Sequence, residues 1–408
     1  MSADDAAAKR ARGRWIWAAA VALASLYVGS TILTPLYPVY RRTFGFSELV
    51  VTAIYAVFAV GNVVVLMFFG RLSDQIGRRR ATLIAFGLAL LSMLGFLFAQ
   101  STGWLFAARA SSGFAVGLGA TAATAWIAEL EPAGDRARAA SIASAANLAG
   151  LASGALVAGL LAQHAPWPLR TSFIVYLVLL LVVLGVLAFA PETIADPVDD
   201  VREISLRPRI GVPSGLRLAF VAPAAMAFTA FSLGGFYSAL APGVLTQTLR
   251  VDDLGVIGLV VAAFFATATA TAMLTRRVGD RASMFAAFAL LLVGVTLLLI
   301  AEARRALVLL VVASVVNGAA MAFGYRASLQ IVNALAPEQR RAELVSAYLL
   351  VCYGANSLPV IGVGALSLAV EPAVAHRILA GVLVALAAVA CVATVRYAPK
   401  PQRAATRR

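Results

Sequence analysis

Arg109 is the one charged side chain set well inside an apolar stretch, 104–127, about five residues from its start. At 1.5 Å per residue it stands ~7.5 Å along a helix. A cation there costs several kcal/mol in a bilayer unless a watery cavity or a partner receives it. Its planar five-donor fork suits a substrate oxygen or an acidic partner; the alternative is a side chain that snorkels to the nearer interface. A second group is Gly70, Asp74 and Gly77, followed by the basic run Arg78, Arg79 and Arg80. Gly70 permits close helix approach, Gly77 permits a tight turn, and Asp74 is a fixed negative charge at a helix end. These residues make ion pairs and hold helices. Catalysis would need convergent acids, histidines or a nucleophile with its base, yet no Asp or Glu falls in the middle of any apolar stretch. His164 and His376, the only histidines, fall between stretches and read as surface residues, while Cys352 and Cys391 lie within stretches, which speaks against a disulfide or a metal cluster. An enzyme is therefore not expected, and neither is a cofactor or a metal.

The elements that position these residues follow from composition. Hydrophobic residues make up 62% of the chain and charged residues 13%, too little polar surface to face water. Apolar stretches of about twenty residues, enough to cross ~30 Å of hydrocarbon, run over 15–36, 49–69, 81–99, 104–127, 139–162 and 172–190, then over 218–240, 254–274, 282–301, 307–325, 344–368 and 378–397. The expected fold is all-α and membrane-integral, with twelve transmembrane helices in two six-helix halves, 1–190 and 218–408. The charged, proline-bearing segment 191–217 serves as a cytoplasmic linker. Of the 33 Lys and Arg, only Arg41, Arg42, Arg170, Arg250, Arg304, Arg305 and Arg377 fall on the side away from the termini, with Arg109 in a span. That bias places both termini in the cytoplasm and explains the net charge of +14 without nucleic acid, for which no basic segment interleaved with aromatics exists. A shift of 205 residues superposes Gly29 on Gly234, Gly113 on Gly318, Pro132 on Pro337 and Gly159 on Gly364, the pattern of an internal repeat.

The string from Gly70 to Arg80 resembles the signature loop of the major facilitator superfamily. The resemblance implies that Asp74 lies against the positive end of the eleventh helix, near 342–346, when the cytoplasmic side is closed; such a contact is worth ~0.3–1 kcal/mol, and up to ~2 when partly buried. Leu105, Arg109, Gly113 and Gly117 are similar to the family's fourth-helix motif, whose arginine serves coupling or substrate binding. The segment from Glu129 through Pro132 to Arg138 resembles the family's acidic-proline-arginine loop, which makes Glu129 a partner for Arg78. Pro191-Glu192-Thr193 resembles a family helix terminus, and Glu192 joins the same network. Gly150, Gly154 and Gly159 resemble the glycine motif of antiporter members, with Ala155 where those members carry proline. In the second-half loop Arg276 replaces the aspartate.

The cavity-lining positions offer Tyr27, Ser30, Thr31, Thr34, Asn147, Tyr237, Asn317, Tyr325, Tyr353 and Asn356. Aromatics and amides without a fixed acid suit an apolar or neutral, hydrogen-bonding cargo. The expected protein is a monomeric, multi-pass inner-membrane transporter working by alternating access. Its partners are a small amphipathic compound or metabolite, protons as coupling ion, and the bilayer. The rival expectation is uptake or facilitated diffusion of a neutral, sugar-like or organic solute.

Overall fold

The computed structural model describes residues 3–198, 211–275, 277–337 and 340–397. Among them stand twelve helices long and apolar enough to cross a membrane. They are α1 (Gly13–Phe44), α2 (Glu48–Phe69), α3 (Arg78–Leu97), α4 (Thr102–Leu130), α5 (Arg136–His164), α6 (Pro168–Leu187), α7 (Ser214–Thr248), α8 (Leu254–Leu274), α9 (Asp280–Arg304), α10 (Leu307–Leu335), α11 (Glu343–Leu366) and α12 (Pro372–Arg396). Each apolar stretch holds one helix, because hydrocarbon offers no partner for backbone N–H and C=O and only a helix satisfies them within one segment. An even number of crossings puts both ends of the array on one face, hereafter the terminal face; the opposite face is distal.

The polar residues between stretches set the helix boundaries. Asp135 caps α5, its carboxylate accepting from the backbone N–H of Ala137 and Arg138, and Asp253 caps α8 through Val256 N–H. Gly45, at φ 68°, ends α1 in the left-handed region. Helices run past the apolar stretches wherever capping comes later: α10 continues to Leu335 and α12 starts at Pro372.

The two halves pack by one plan. In the first, α3 meets α4, α1 meets α5, α2 meets α4, and α6 covers α1 and α3; in the second, α9 meets α10, α7 meets α11, α8 meets α10, and α12 covers α7 and α9. Adding six to each number of the first set gives the second. One buried core draws only on residues 16–190, a second on 222–393 with Tyr55, Leu148 and Ala155 as its visitors from the first half, and a third, smaller one on second-half residues from Phe220 to Cys352. The halves join where α5 crosses α8 and α2 crosses α11. At both joints glycine permits the approach: a Cβ at Gly159 would fall 2.4 Å from the Leu254 carbonyl oxygen, and one at Gly364 2.4 Å from Thr52 Oγ1. Both joints lie at distal helix ends.

Three helices depart from α geometry: α1 passes through a 3-10 stretch, Thr34–Leu36, and two others carry π turns. α2 ends in a π-helical stretch, Val65–Phe69, and α7 contains two, Phe236–Leu240 and Val244–Thr248, around the short turn Ala241–Gly243. Pro242 in that turn lacks an N–H and its ring crowds the carbonyl four residues back, and the wider π turns on either side absorb the misfit. Residues 199–210 of the expected linker lie outside the described residues, as does Arg276. Residues 191–198 run along the terminal face, where Val198 N–H donates to the Gln75 carbonyl at 2.7 Å.

Candidate functional site

A cavity of about 390 Å³ opens on the terminal half of the molecule between α5, α8 and α10. Ser141, Ser144 and Leu148 of α5 face Thr269 and Met273 of α8, and Met321, Tyr325 and Asn333 of α10 complete the wall. Its size is that of a drug-sized ligand. No carboxylate is among the residues lining it. Arg326 borders it, but its guanidinium is turned to the protein, donating to the carbonyls of Thr275 (2.5 Å) and Val278 (2.7 Å) and to Ser283 Oγ (2.6 Å). Tyr325 continues inward to an aromatic cluster: its ring meets Phe231 edge-on at 5.2 Å, and Phe231 lies 6.5 Å from Tyr353. Tyr27 of α1 lies beside Asn147 of α5 and Tyr353 of α11, so the cluster spans the two halves.

The other expected lining residues are turned elsewhere. Thr31 is buried and donates to the Leu151 carbonyl at 2.7 Å, a bond that fastens α1 to α5. Tyr237 and Asn317 are fully buried inside the second half, where Asn317 Nδ2 donates to the Tyr237 hydroxyl at 3.2 Å and the Tyr237 ring stacks on Phe264 at 4.3 Å. Asn356 Nδ2 donates to the Tyr55 hydroxyl at 2.8 Å and so bridges α11 to α2. A sequence period gives the faces of a helix, but its rotation toward the cavity is set by packing. The cavity residues left unnamed by the sequence carried one readable signal: Arg326, Gln330 and Asn333 recur at helical spacing on α10, as Ser141, Ser144 and Leu148 do on α5.

On the terminal face, Arg78 is the hub of a charge cluster. The guanidinium, 9% exposed, donates through Nε and Nη2 to Glu129 Oε1 at 3.0 and 2.8 Å, through Nη1 to Ser73 Oγ at 2.8 Å, and meets Asp74 Oδ1 at 2.5 Å. Glu192 caps α3: its two carboxylate oxygens accept from the backbone N–H of Arg78 (2.8 Å) and Arg79 (3.0 Å). Gly77 makes this approach possible. It sits at φ 101°, and a Cβ there would fall 2.4 Å from Glu192 Oε2. Thr193 donates to Glu129 Oε2, and Trp126 Nε1 donates to the Pro191 carbonyl at 3.2 Å, so four chain segments converge. Gly70 ends the π turn of α2 just before the short helix Leu72–Ile76 that carries Asp74. Asp74 is half-exposed and held by Arg78. The expected contact with 342–346 belongs to a closed terminal face, and the side chain of Ala342 lies outside the described residues.

Arg109 does not snorkel. It is 0% exposed, packed between α1, α2 and α4. Nη2 donates to the Ser30 carbonyl at 2.9 Å, and the guanidinium carbon lies 4.5 Å over the Phe58 ring and 5.6 Å over that of Tyr55. Nε and Nη1 have no acceptor in good hydrogen-bond geometry, the buried hydroxyls of Ser30 and Thr34 lack partners, and the Tyr37 hydroxyl lies beside the guanidinium. Among the described residues no carboxylate pairs with it. A cation held by one carbonyl and two rings is poorly compensated.

His164 is exposed as expected, but His376 corrects the sequence reading: it is 4% exposed, with Nδ1 2.8 Å from Oε1 of an equally buried Glu302. It looked external because the apolar stretch begins at 378, whereas the helix begins at Pro372 and buries its first turns.

Residues 19–251, more than half of the chain, match the sequence pattern of the Major Facilitator Superfamily. The quinolone resistance protein NorA of Staphylococcus aureus is 26% identical over 140 residues, 34% of this chain and 36% of that protein, so the chain spans about a third of the length of the curated relatives it matches. Among solved structures, a bacterial homolog of the human lysosomal transporter Spinster, inward-facing and occupied, gives a TM-score of 0.68 at 16% identity, covering 96% of this chain and 99% of that one. The nucleoside transporter NupG gives 0.68 at 15%, covering 92% and 98%. At such identities the likeness is of fold alone. With its twelve spans, paired halves and matching pattern, the chain belongs to the Major Facilitator Superfamily.

Proposed function

We propose that this transporter exports a small, neutral, amphipathic compound from the cell by alternating access, in exchange for protons, as a monomer in the inner membrane. The terminal face is cytoplasmic, as the Lys and Arg bias requires, and the state described is open to the cytoplasm. The observation that carries this reading is a cavity between the halves on the terminal side, while at the distal side glycine crossings hold α5 to α8 and α2 to α11, beside a separate cleft of about 630 Å³ bordered by Arg41, Glu48 and Arg250. In the opposite state the α5–α8 and α2–α11 joints part, together with the exposed ion pair of Arg42 with Asp252, and the terminal ends close. Gly70, Asp74, Gly77, Arg78, Arg79, Glu129 and Glu192 then act as the gate, with Asp74 passing to the start of α11. Arg109 couples the cavity to the distal half, and Tyr27, Asn147 and Tyr353 contact the cargo. The resemblance to NorA supports export, and an acid-free cavity with Tyr325 in its wall supports an uncharged cargo.

A second reading, facilitated diffusion of a neutral solute, draws on one observation: no carboxylate lines the cavity to relay protons. Everted membrane vesicles separate the two. Acidifying the lumen should drive accumulation of an uncharged amphipathic dye, and a protonophore should abolish it. Equal accumulation with the gradient collapsed would establish diffusion instead.

A further inference from the structure

The distal cleft of about 630 Å³ stands apart from the cargo cavity and shares no lining residue with it. Both halves build it. The first supplies Tyr37, Arg41 and Arg42 from α1 and Glu48 from the start of α2; the second supplies Gly243 of α7 and, just beyond that helix, Arg250. The charges do not balance. Arg42 is paired with Asp252, but among the described residues Arg41, Arg250 and Glu48 form no ion pair. Glu48 is the only carboxylate in the lining, and it is turned toward α7, its Oε1 3.8 Å from where a Cβ of Gly243 would stand. Beneath the cleft lies a further cation, because the Tyr37 hydroxyl is beside the buried guanidinium of Arg109. Three guanidinium groups without an acid thus stand against one carboxylate without a base.

Arg250 is held in place at a cost. Its φ of 60° lies in the left-handed region that side chains avoid. The bonds around it dictate that angle: Leu249 N–H donates to the Val244 carbonyl at 3.0 Å and Val251 N–H to the Leu245 carbonyl at 2.9 Å. Backbone strained in this way is concentrated at ligand clamps. Guanidinium forks match phosphate oxygens in pairs, and a tetrahedral group offers oxygens to forks that reach it from opposite sides. We propose that the distal cleft binds a phosphate group between Arg41 of the first half and Arg250 of the second, and that the bound group holds the distal face shut. A lipid headgroup and a free phosphate present the same chemistry. The two arginines separate when the distal joints part, so the bridge exists only in the closed state. Mass action then raises the closed-to-open ratio, by about elevenfold at ten times the dissociation constant. On the outer side of the membrane such a ligand is a brake on export. The site rests on the geometry of the cleft alone; the brake rests on the alternating-access reading.

Thermal unfolding of the full chain in phosphatidylcholine nanodiscs reads the site. Inorganic phosphate, compared with chloride at equal ionic strength, should raise the unfolding temperature if the free ion is the ligand; phosphatidylglycerol added to the disc should do so if the headgroup is. The double variant Arg41→Gln, Arg250→Gln should lose the response. Glu48→Gln removes the opposing charge and should lower the concentration at half-response by about two- to fivefold, a change that general screening does not produce. No response to either probe, or an undiminished response in the double variant, would overturn the site. Spin labels at the exposed distal positions Arg170 and Glu371, with both cysteines replaced by serine, read the brake. The effective probe should raise the closed fraction in the parent and leave the double variant unchanged. Two populations that the probe does not shift would overturn the brake. A single distal distance under every condition would overturn alternating access itself, while unfolding still decides the site.

Discussion

The two bundles share a packing plan but not an interior chemistry. Near its distal end the first half buries Arg109, a cation with one carbonyl, two aromatic faces and no acid. At comparable depth the second half buries Glu302 against His376, an acid and a base that can cancel. Symmetry in the small residues builds the fold, because close crossings need the same shapes in both halves. Asymmetry in the charges cannot serve packing, since a buried lone charge is costly wherever it is placed. Where the repeat breaks its own symmetry, function is the reason to look for.

Substitutions that should move the two halves in opposite directions test this contrast. The largest effect is expected in the second half: Glu302→Gln leaves a buried imidazole without its acid and should destabilise the protein by about 3–5 kcal/mol, with much of the loss recovered in the double variant with His376→Gln. Thermal unfolding in detergent measures both. In the first half the sign should reverse. Arg109→Met removes an uncompensated charge and should stabilise by about 1–4 kcal/mol, while transport in vesicles falls at least about tenfold. Arg109→Lys should insert normally yet fail to restore transport, because an ammonium cannot reproduce the planar fork. A loss of stability in Arg109→Met would mean that the cation is structural, and the contrast between the halves would collapse.

Smaller effects belong to the terminal gate. Glu192→Gln weakens the cap on Arg78 and Arg79 and should cost about 0.5–2 kcal/mol, visible as faster hydrogen exchange at the start of α3. Asp74→Asn should be the mildest. Its half-exposed pair with Arg78 contributes at most about 1 kcal/mol, so unfolding should barely change while cysteine accessibility on the terminal face rises. Unchanged accessibility would reduce the loop to an anchor.

The spans were legible in the sequence because hydrocarbon thickness sets their length, and every apolar stretch holds a helix. The repeat was legible through two of its glycine pairs. Gly113 and Gly318 sit at the matching α2–α4 and α8–α10 crossings, where a Cβ would fall 2.3 and 2.2 Å from the carbonyl oxygens of Phe58 and Phe264, and Gly159 and Gly364 sit at the two joints between halves. The convergence of Arg78, Glu129 and Glu192 was readable too, since their strings are short and specific. The cavity was not. Thr31, Tyr237 and Asn317 have the right chemistry at the right depth, but their helices are rotated to place them within the bundles, and rotation is decided by neighbours far away in the chain. His376 was misplaced for the related reason that hydropathy marks where a helix is apolar, not where it begins.

The π-helical stretches of α7 also make that helix a screw with spare thread. Each stretch stores one residue more than an α-helix would use, and taking it back into α geometry shortens the winding by one step, turning everything beyond it by ~100° and shifting it by ~1.5 Å. Phe236 and Tyr237 stand on the first of these threads. A half-helix can therefore be re-aimed by local rewinding, while the part before the rewound turn stays seated in its bundle.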